Sequence, residues 1–296
     1  NRRRDDERAL DLRARVTVSP RFAGDIERVE PSLAHLLTKL LVVSDNVAFN
    51  DCLEIVGIDV ANRRMWQAGL ESVRLWHRLS EARTLAENRQ TRAVALAGTG
   101  GLELVRPARD TPIELANDLW HDLDCGSAWL RDGEKVDGPM SFAQKNAILL
   151  RDLQDLLVEV VRPEIDTGKF GFPELSIGQR AFLVSRLGML PRESTDPAFD
   201  AERLPDHWTK FVLRGVRRVI PADRLRIYDK SGRAYGFSIE NAFVEDTASG
   251  RGFFLAIVLY TNSDGVLNDD RYGYEEVADP VLDAIGEVIA RAVLRP

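Results

Sequence analysis

The sequence predicts an α+β fold in which several helices precede an antiparallel β-sheet and a final helix. Apolar residues recur at helical spacing in residues 31–57, 141–161 and 176–190. Three strand-like stretches follow within residues 224–262, and the short polar turns between them are typical of an antiparallel meander. A last helical pattern, DPVLDAIGEVIARAVL, closes the chain, so helices and strands are largely segregated along the sequence.

Residues 31–57 are expected to form two helices. The first has Pro31 near its start and a run of leucines at helical spacing. The second follows the triplet Ser44-Asp45-Asn46 and ends near Gly57. Ser44 or Asp45 is expected to cap this helix, because a short polar side chain accepts a free N–H at a helix N-terminus. The alternative is that the triplet faces a cleft and takes part in chemistry.

The remaining segments predict no binding motif. The stretch RVTV at 15–18 is expected to be a strand, and the mixed, polar residues 58–91 are expected to form a long structured loop. GTGG at 98–101 is expected to turn a β-hairpin rather than hold a nucleotide, because no helical pattern follows it. HDLDC at 121–125 fits no standard metal-ligand spacing, so a surface turn is favoured over a metal site.

Composition excludes several classes of protein. The 296 residues are 44% hydrophobic and 29% charged, as is typical of a soluble globular protein. The net charge of -7 argues against nucleic acid as the main partner, since phosphate binding needs a basic surface. No apolar run approaches the roughly 20 residues of a membrane span. The two cysteines allow at most one disulfide.

Two triplets on different predicted elements carry a resemblance to a known family. Ser44-Asp45-Asn46 precedes a helix, and Lys230-Ser231-Gly232 ends the first strand of the meander. The pair resembles the Ser-Asp-Asn and Lys-Thr-Gly boxes of class A β-lactamases and penicillin-binding proteins. The surrounding LLTKLLVVSDNVAFNDCLEIVG and YDKSGRAYGFSIENAFV are also similar to that family's helix pair and closing strands. The chain is therefore identified as a class A β-lactamase-like member of the penicillin-recognising serine hydrolases.

The resemblance implies a catalytic role for the polar groups at both triplets. In this family a serine attacks an amide and forms an acyl-enzyme. Ser44 would relay a proton to the leaving nitrogen, because a hydroxyl both donates and accepts a hydrogen bond. The positive charge of Lys230 would change the electrostatic field around the Ser44 hydroxyl and attract the substrate carboxylate. Asn46 would hold the substrate's amide side chain and the active-site lysine in register.

The resemblance also implies three substrate contacts on the strand. Ser231 would hydrogen-bond the substrate carboxylate. Gly232, which has no side chain, would let the substrate lie against the strand edge. The backbone N–H of Arg233 would supply half of an oxyanion hole, a type of donor worth about 3 kcal/mol.

The chain departs from the family pattern at the nucleophile. No Ser-x-x-Lys, the box that carries the family's nucleophile, occurs in the 296 residues. We expect that box and the first two strands of the sheet to lie before Asn1. Residues 1–296 would then be a single β-lactamase-like domain that lacks its N-terminal strands. The alternative is a protein that has lost its nucleophile. We expect a helical lobe over about 31–215, with a mostly exposed insertion over about 92–140. The sheet and last helix are expected over about 216–296.

A second departure concerns deacylation. The family's deacylating glutamate lies in a Glu-x-x-Leu-Asn box, and RLSEARTLAENR occupies the matching stretch. Glu81 is the candidate base there, although no Asn follows at the expected place; the alternative is a surface carboxylate. Without the base, a penicillin would acylate the enzyme and remain trapped.

Three functions follow from these observations. The first is a serine hydrolase that acts on an amide such as a β-lactam through an acyl-enzyme. The second is a D-Ala-D-Ala-type peptidase or another amide or ester hydrolase, and the third is a non-catalytic binding protein of the same fold. The resemblance implies a small-molecule amide or peptidoglycan-like substrate, no cofactor and no metal. It also implies export to the periplasm or out of the cell.

Overall fold

A computed structural model of the protein describes residues 11–98, 103–117 and 121–295. They divide into two units, each made of three chain segments. The first unit comprises the described residues up to Leu40, those of Asp45–Ala61 and those of Trp76–Glu114; the other described residues form the second. Helices and antiparallel sheets share the chain, so the predicted α+β class is confirmed.

The first unit contains a four-stranded antiparallel sheet. Its strands lie in the order β2 (Arg28–Glu30), β1 (Arg15–Val18), β4 (Val94–Ala97) and β5 (Glu103–Arg106). The predicted strand at 15–18 and the pairing of a β-hairpin around 98–101 are therefore confirmed, while residues 99–102 lie outside the described residues.

The position of β4 corrects one expectation about residues 92–140. Val94 and Leu96 lie on the same face of the strand, and both are buried in the core of the first unit. The start of the expected insertion is thus part of a sheet and its core, not an exposed excursion. The unit also contains a short pair, β3 (Gln90–Thr91) and β6 (Arg109–Asp110).

The two helices predicted in residues 31–57 are present as α1 (Leu33–Val42) and α2 (Asn46–Val56). Leu33 and Leu36 of α1 pack in the core with Ala48 and Ile55 of α2. Gly57 ends α2 with a φ of 87°, a left-handed conformation that favours glycine.

The expectation of a loop throughout residues 58–91 is wrong, because α3 (Ile58–Gln67) and the short α4 (Leu85–Asn88) lie within it. The fully buried side chain at the centre of α3 is Asn62, which hydrogen-bonds the backbone O and N of Leu75 at 3.0 and 2.9 Å. Asp59 is buried as well. A helix that buries polar residues lacks the apolar spacing by which helices are recognised in a sequence.

The predicted meander forms the main sheet of the second unit. It consists of β11 (Leu225–Asp229), β12 (Gly232–Ala234), β13 (Phe237–Asp246) and β14 (Arg251–Tyr260). β11 and β12 pair with β13 in one continuous register, with Asp229 opposite Ala242 and Gly232 opposite Ile239. Lys230 therefore lies opposite Asn241, and Ser231 opposite Glu240. Because side chains alternate along a strand, Lys230 leaves one face of the sheet, and Asp229 and Ser231 leave the other.

The α-helices that lie wholly in the second unit are α5 (Leu150–Val161), α6 (Ile177–Leu187), α7 (Leu213–Val216) and α8 (Asp279–Val293). α6 and α8 lie where helices were predicted. α5 begins nine residues later than predicted, since Ala147 pairs through its backbone with Arg74, and the Leu149 N–H donates to Ser72.

The helices α7 and α8 cross closely in the core of the second unit. A Cβ placed on Gly215 of α7 would lie 1.8 Å from the carbonyl oxygen of Asp283 in α8, so only glycine fits there. The surrounding core is formed by buried aliphatic side chains of α7, α8 and the sheet, including Val212, Val216 and Leu282.

The second half of the expected insertion adds small strands to the second unit. β7 (Asp124–Cys125) pairs with β10 (Met140–Ser141), and β8 (Ala128–Arg131) lies between β9 (Glu134–Asp137) and β15 (Val266–Leu267). Among the helices of the described residues, none is both long enough and apolar enough to span a bilayer.

Candidate active site

The side chains of Ser44 and Lys230 meet in the second unit. Lys230 Nζ donates a hydrogen bond of 2.6 Å to Ser44 Oγ and another of 3.1 Å to the backbone oxygen of Ser231. Ser44 has a φ of 58°, in the left-handed region that serine seldom adopts. Strained backbone of this kind is found preferentially at functional sites. The contact between the two triplets, predicted from the sequence, is present.

The two alternatives for the Ser44 triplet apply to different residues. Asp45 is the N-cap of α2, and its Oδ1 accepts the N–H of Ala48 at 2.7 Å. Ser44, one residue earlier, directs its hydroxyl to Lys230 instead. Helix capping and the polar contact with Lys230 therefore coexist in one triplet.

The electrostatic environment of Lys230 favours proton sharing. Burial lowers the pKa of its ammonium, and the nearby carboxyl groups of Asp229 and Glu240 oppose that shift. The ammonium donates to the Ser44 oxygen, which leaves the Ser44 proton free to be donated onward. A hydroxyl polarised in this way is suited to protonate a leaving nitrogen.

A buried set of charged groups lies on the opposite face of β11. Lys210, which is 2% exposed, donates to the backbone oxygens of Leu187 and Ile227 at 2.7 and 2.8 Å and pairs with Asp229. The sequence analysis missed Lys210; its position directly before the apolar stretch FVL is the only local sign of its burial.

Glu240 completes this buried set. It is fully buried on β13, and its Oε2 accepts the N–H groups of Phe211 at 2.6 Å and Val212 at 3.3 Å. Burial and the neighbouring Asp229 raise the pKa of Glu240 well above its usual value. Burial also raises the pKa of Asp229, against the attraction of Lys210.

The strand residues of the second triplet have distinct environments. The Ser231 hydroxyl is buried and donates to the backbone oxygen of Thr209, so a carboxylate ligand must compete with Thr209 for that proton. A Cβ on Gly232 would meet no described atom within 4 Å. β12 pairs with β13 along one edge and has no second strand partner among the described residues. That edge has room for a ligand.

The Arg233 side chain is held by an ion pair and by two aromatic rings. Its guanidinium pairs with Asp279, and its Nε donates to Ser238 at 3.2 Å. The group lies 4.1 Å from the centre of the Phe211 ring and 5.1 Å from that of Tyr274. The side chain is thus held in place by pairing and stacking, which fixes the backbone of β12.

Asn46 belongs to the first unit. It is exposed, and its Nδ2 donates to Ser80 Oγ at 2.8 Å. Ser80, like Ser44, has a positive φ, here 50°. The sequence analysis did not single out Ser80, and no local pattern marks it, because its partner lies 34 residues away in the chain.

Glu81, the candidate base, is also in the first unit and is clamped by arginines. Its Oε1 accepts hydrogen bonds from Arg83 Nε at 2.8 Å and from Arg92 Nη2 at 2.6 Å. Burial raises the pKa of Glu81, but the two arginine hydrogen bonds outweigh burial, and the net pKa is lowered. A carboxylate held in this way is a weak base. Its side chain is 20% exposed.

The described residues include no cluster of three histidine, cysteine or acidic side chains placed to hold a metal ion. Both cysteines, Cys52 and Cys125, are free thiols. Burial raises the pKa of Cys52 to about 12, so this thiol is unreactive.

Residues 3–103 match the model of the β-lactamase enzyme family, which supports the identification of the chain as β-lactamase-like. The class that this match supports is that of β-lactamase-like hydrolases. No curated protein matches the chain.

Solved structures of two β-lactamases are similar to the chain. One, from Sphaerobacter thermophilus, is 15% identical with a TM-score of 0.46 over 98% of this chain and 76% of that chain. The other, from Streptosporangium roseum, is 16% identical with a TM-score of 0.43 over 88% of this chain and 64% of that chain.

Proposed function

We propose that this protein is a serine hydrolase of the class A β-lactamase-like type, which cleaves an amide such as a β-lactam through an acyl-enzyme. The observation that carries the proposal is the hydrogen bond from Lys230 to Ser44, next to Ser231 on the strand. Ser44 relays a proton to the leaving nitrogen, and Lys230 attracts the substrate carboxylate. Ser231 and the free edge of β12 bind the substrate, and the Arg233 N–H supplies part of the oxyanion hole.

The nucleophile in this proposal is a serine outside the 296 residues, since no Ser-x-x-Lys occurs within them. A serine nucleophile is irreplaceable in acyl-enzyme chemistry, and the other groups only orient and polarise the substrate. The 296-residue chain by itself is therefore inactive. Asn46 contributes to substrate binding, and the protein acts in the periplasm or outside the cell, as other β-lactamase-like enzymes do.

A second candidate is a peptidase-like or other amide hydrolase with slow deacylation. The observation that favours it is the clamp of Arg83 and Arg92 on Glu81, which weakens Glu81 as a base. In a β-lactamase with rapid turnover, by contrast, Glu81 would have to activate water. Substitution of Glu81 by Gln separates the two: persistence of the acyl-enzyme would rise only if Glu81 is the deacylating base.

The proposal is tested with a fluorescent penicillin and a chromogenic cephalosporin. The 296-residue chain should neither be labelled nor hydrolyse the cephalosporin. A protein translated with the coding sequence upstream of Asn1 should be labelled at a serine before residue 1. In that protein Ser44→Ala should slow acylation by about 10²- to 10³-fold, as expected for loss of a proton-transfer group. Ser263→Ala, an exposed serine, is the control and should have no effect.

Two outcomes would contradict the proposal. Labelling of the 296-residue chain at Ser44 would make Ser44 the nucleophile rather than the relay. Failure of the extended protein to be labelled by any penicillin or by an acyl-D-Ala-D-Ala peptide analogue would favour the non-catalytic binding protein.

A further inference from the structure

An indole in the second unit is half exposed although it is held firmly. The Trp208 side chain is 48% exposed, and its Nε1–H donates to the backbone oxygen of Val43 at 3.2 Å. The Trp208 backbone N–H is also bound, to the oxygen of Pro205 at 2.8 Å. Val43 immediately precedes Ser44, so the edge of the indole is fixed one residue from the proposed proton relay.

The residue after Trp208 links the same segment to the strand of the second triplet. Thr209 Oγ1 donates to the backbone oxygen of Val42 at 3.2 Å, and the Thr209 backbone oxygen accepts from Ser231 Oγ. Residues 208–209 therefore bridge the chain before Ser44 and the strand that carries Lys230. The indole is therefore tied to the residue before Ser44, and the next residue is tied to Ser231, the residue after Lys230.

The chemistry of the two neighbours decides which part of a substrate meets the indole. Ser44 protonates the leaving nitrogen, and Lys230 and Ser231 bind the carboxylate, so both neighbours act on the leaving-group half of the amide. Arg233 does not compete for that carboxylate, since Asp279 already pairs with it. The group next to Trp208 is thus a substituent on the leaving-group side.

We propose that Trp208 is a specificity residue whose exposed indole face stacks on an aromatic or apolar substituent on the leaving-group side of a carboxylate-bearing amide. This inference rests on the proposed function, because it uses the roles given there to Ser44, Lys230 and Ser231. Stacking on a fixed indole costs little conformational freedom and removes apolar surface of both partners from water. Amides with a bulky aromatic leaving group are therefore the preferred substrate class.

The test uses two cephem carboxylates that share a phenylacetyl group on the acyl side. One carries a phenylthio group at the ring carbon next to the carboxylate, and the other carries methyl there. Non-covalent binding to the 296-residue chain is measured by titration calorimetry. We expect the phenylthio compound to bind about tenfold more tightly, a ratio that corresponds to one good aromatic contact.

Variants assign this preference to the indole. Trp208→Ala should abolish the preference without weakening the methyl compound, and Trp208→Phe should retain part of it. Phe170→Ala removes a side chain that is 79% exposed elsewhere in the second unit and should change neither affinity. The circular dichroism of each variant establishes that it is folded, and Trp208→Phe remains informative if the alanine variant is not.

The outcomes separate this inference from the proposed function. If both compounds bind and Trp208→Ala keeps the wild-type preference, or the wild type shows none, the role of Trp208 is refuted while the proposed function stands. If neither compound binds the wild type, both the role of Trp208 and the carboxylate site are refuted. If both compounds bind and Lys230→Met changes neither affinity, the carboxylate site of the proposed function is refuted.

Discussion

Asp229 and Lys230 are neighbours in the chain, yet their side chains leave opposite faces of the sheet and enter different networks. Asp229 pairs with the buried Lys210, while Lys230 reaches the hydroxyl of Ser44. Because Lys210 already neutralises Asp229, the Lys230 ammonium is available to Ser44 and to a ligand. The division of charge between the two faces thus prepares Lys230 for its proposed role.

Carboxylate binding should weaken at alkaline pH because Lys230 loses its charge there. Burial lowers the pKa of Lys230 below the usual 10.5, so affinity should fall as the pH rises through that lowered value. Calorimetric titration of the cephem carboxylates between about pH 7 and pH 10 measures this loss. In Lys230→Arg the guanidinium stays charged over the whole range. An identical alkaline loss in wild type and Lys230→Arg would exclude Lys230 as its source.

The unfolding free energy should depend strongly on Lys210. Lys210→Met leaves the buried Asp229 without its partner, and we expect a loss of about 3–5 kcal/mol in urea unfolding. The double variant Lys210→Met with Asp229→Asn should lose less than the sum of the single variants. Lys135→Met, which removes an exposed ion pair with Asp137, should cost less than about 1 kcal/mol. Additive losses would show that Lys210 and Asp229 act independently.

Asp25 should anchor the arginine cluster that clamps Glu81. Its side chain is 2% exposed and accepts from Arg92 Nε at 2.8 Å and from Arg83 Nη2 at 2.5 Å. Asp25→Asn should cost about 1.5–3 kcal/mol, because Arg83 and Arg92 lose a charged hydrogen-bond acceptor while Arg92 keeps its pairs with Glu54 and Glu81. Asp110→Asn breaks an exposed pair with Arg21 and should have little effect on thermal unfolding. Equal effects of the two variants would contradict this role of Asp25.

Asp25 should also make the free energy of unfolding fall at acid pH. The hydrogen bond from Arg92 lowers the pKa of Asp25 below its usual 3.8. A group whose pKa is lower in the folded state stabilises the fold above its unfolded pKa and loses that contribution as the pH falls. The stability difference between wild type and Asp25→Asn should therefore be constant near neutral pH and shrink below about pH 4. A difference that stays constant between pH 5 and pH 2 would rule out the ion pair as its origin.

The close crossing of α7 and α8 should tolerate no side chain at Gly215. Gly215→Ala places a Cβ against the Asp283 carbonyl and should destabilise the protein by about 3 kcal/mol or more, since the backbone must move. Gly178→Ala, in the first turn of α6, meets no atom within 4 Å and should be neutral or stabilising by up to about 1 kcal/mol. Urea unfolding measures both, and a neutral Gly215→Ala would mean that the two helices can separate at no cost.

Most of the regular elements could be predicted from the sequence, because they bury apolar residues at a regular spacing. Leu33 and Leu36 mark α1 in this way, and the meander is marked by its alternating, β-branched and aromatic strands. The helix α3 could not be predicted, because the side chain it buries most completely is Asn62. Asn62 stabilises the fold through hydrogen bonds to the backbone of Leu75, and no local sequence pattern reveals these bonds.

The candidate site was predictable to a similar degree. The contact between Ser44 and Lys230 followed from two triplets that stand out locally, although 186 residues separate them. The clamp on Glu81 could not be predicted, since Arg92 and Asp25 reach it only through the folded chain. The buried pairing of Lys210 with Asp229 has the same character, because charged residues give no sign in a sequence of which partner they will meet.

At position 44 the left-handed backbone conformation favours one residue type for stability, and the proposed chemistry requires another. A left-handed conformation costs a serine about 1–2 kcal/mol, and glycine or asparagine adopts it more readily. In a library randomised at position 44 and selected only for folded protein, glycine and asparagine should therefore displace serine. When the library is made in the protein extended upstream of Asn1 and is also selected for turnover, serine should return at position 44. The difference between the two enrichments then measures how much the Ser44 hydroxyl contributes to activity.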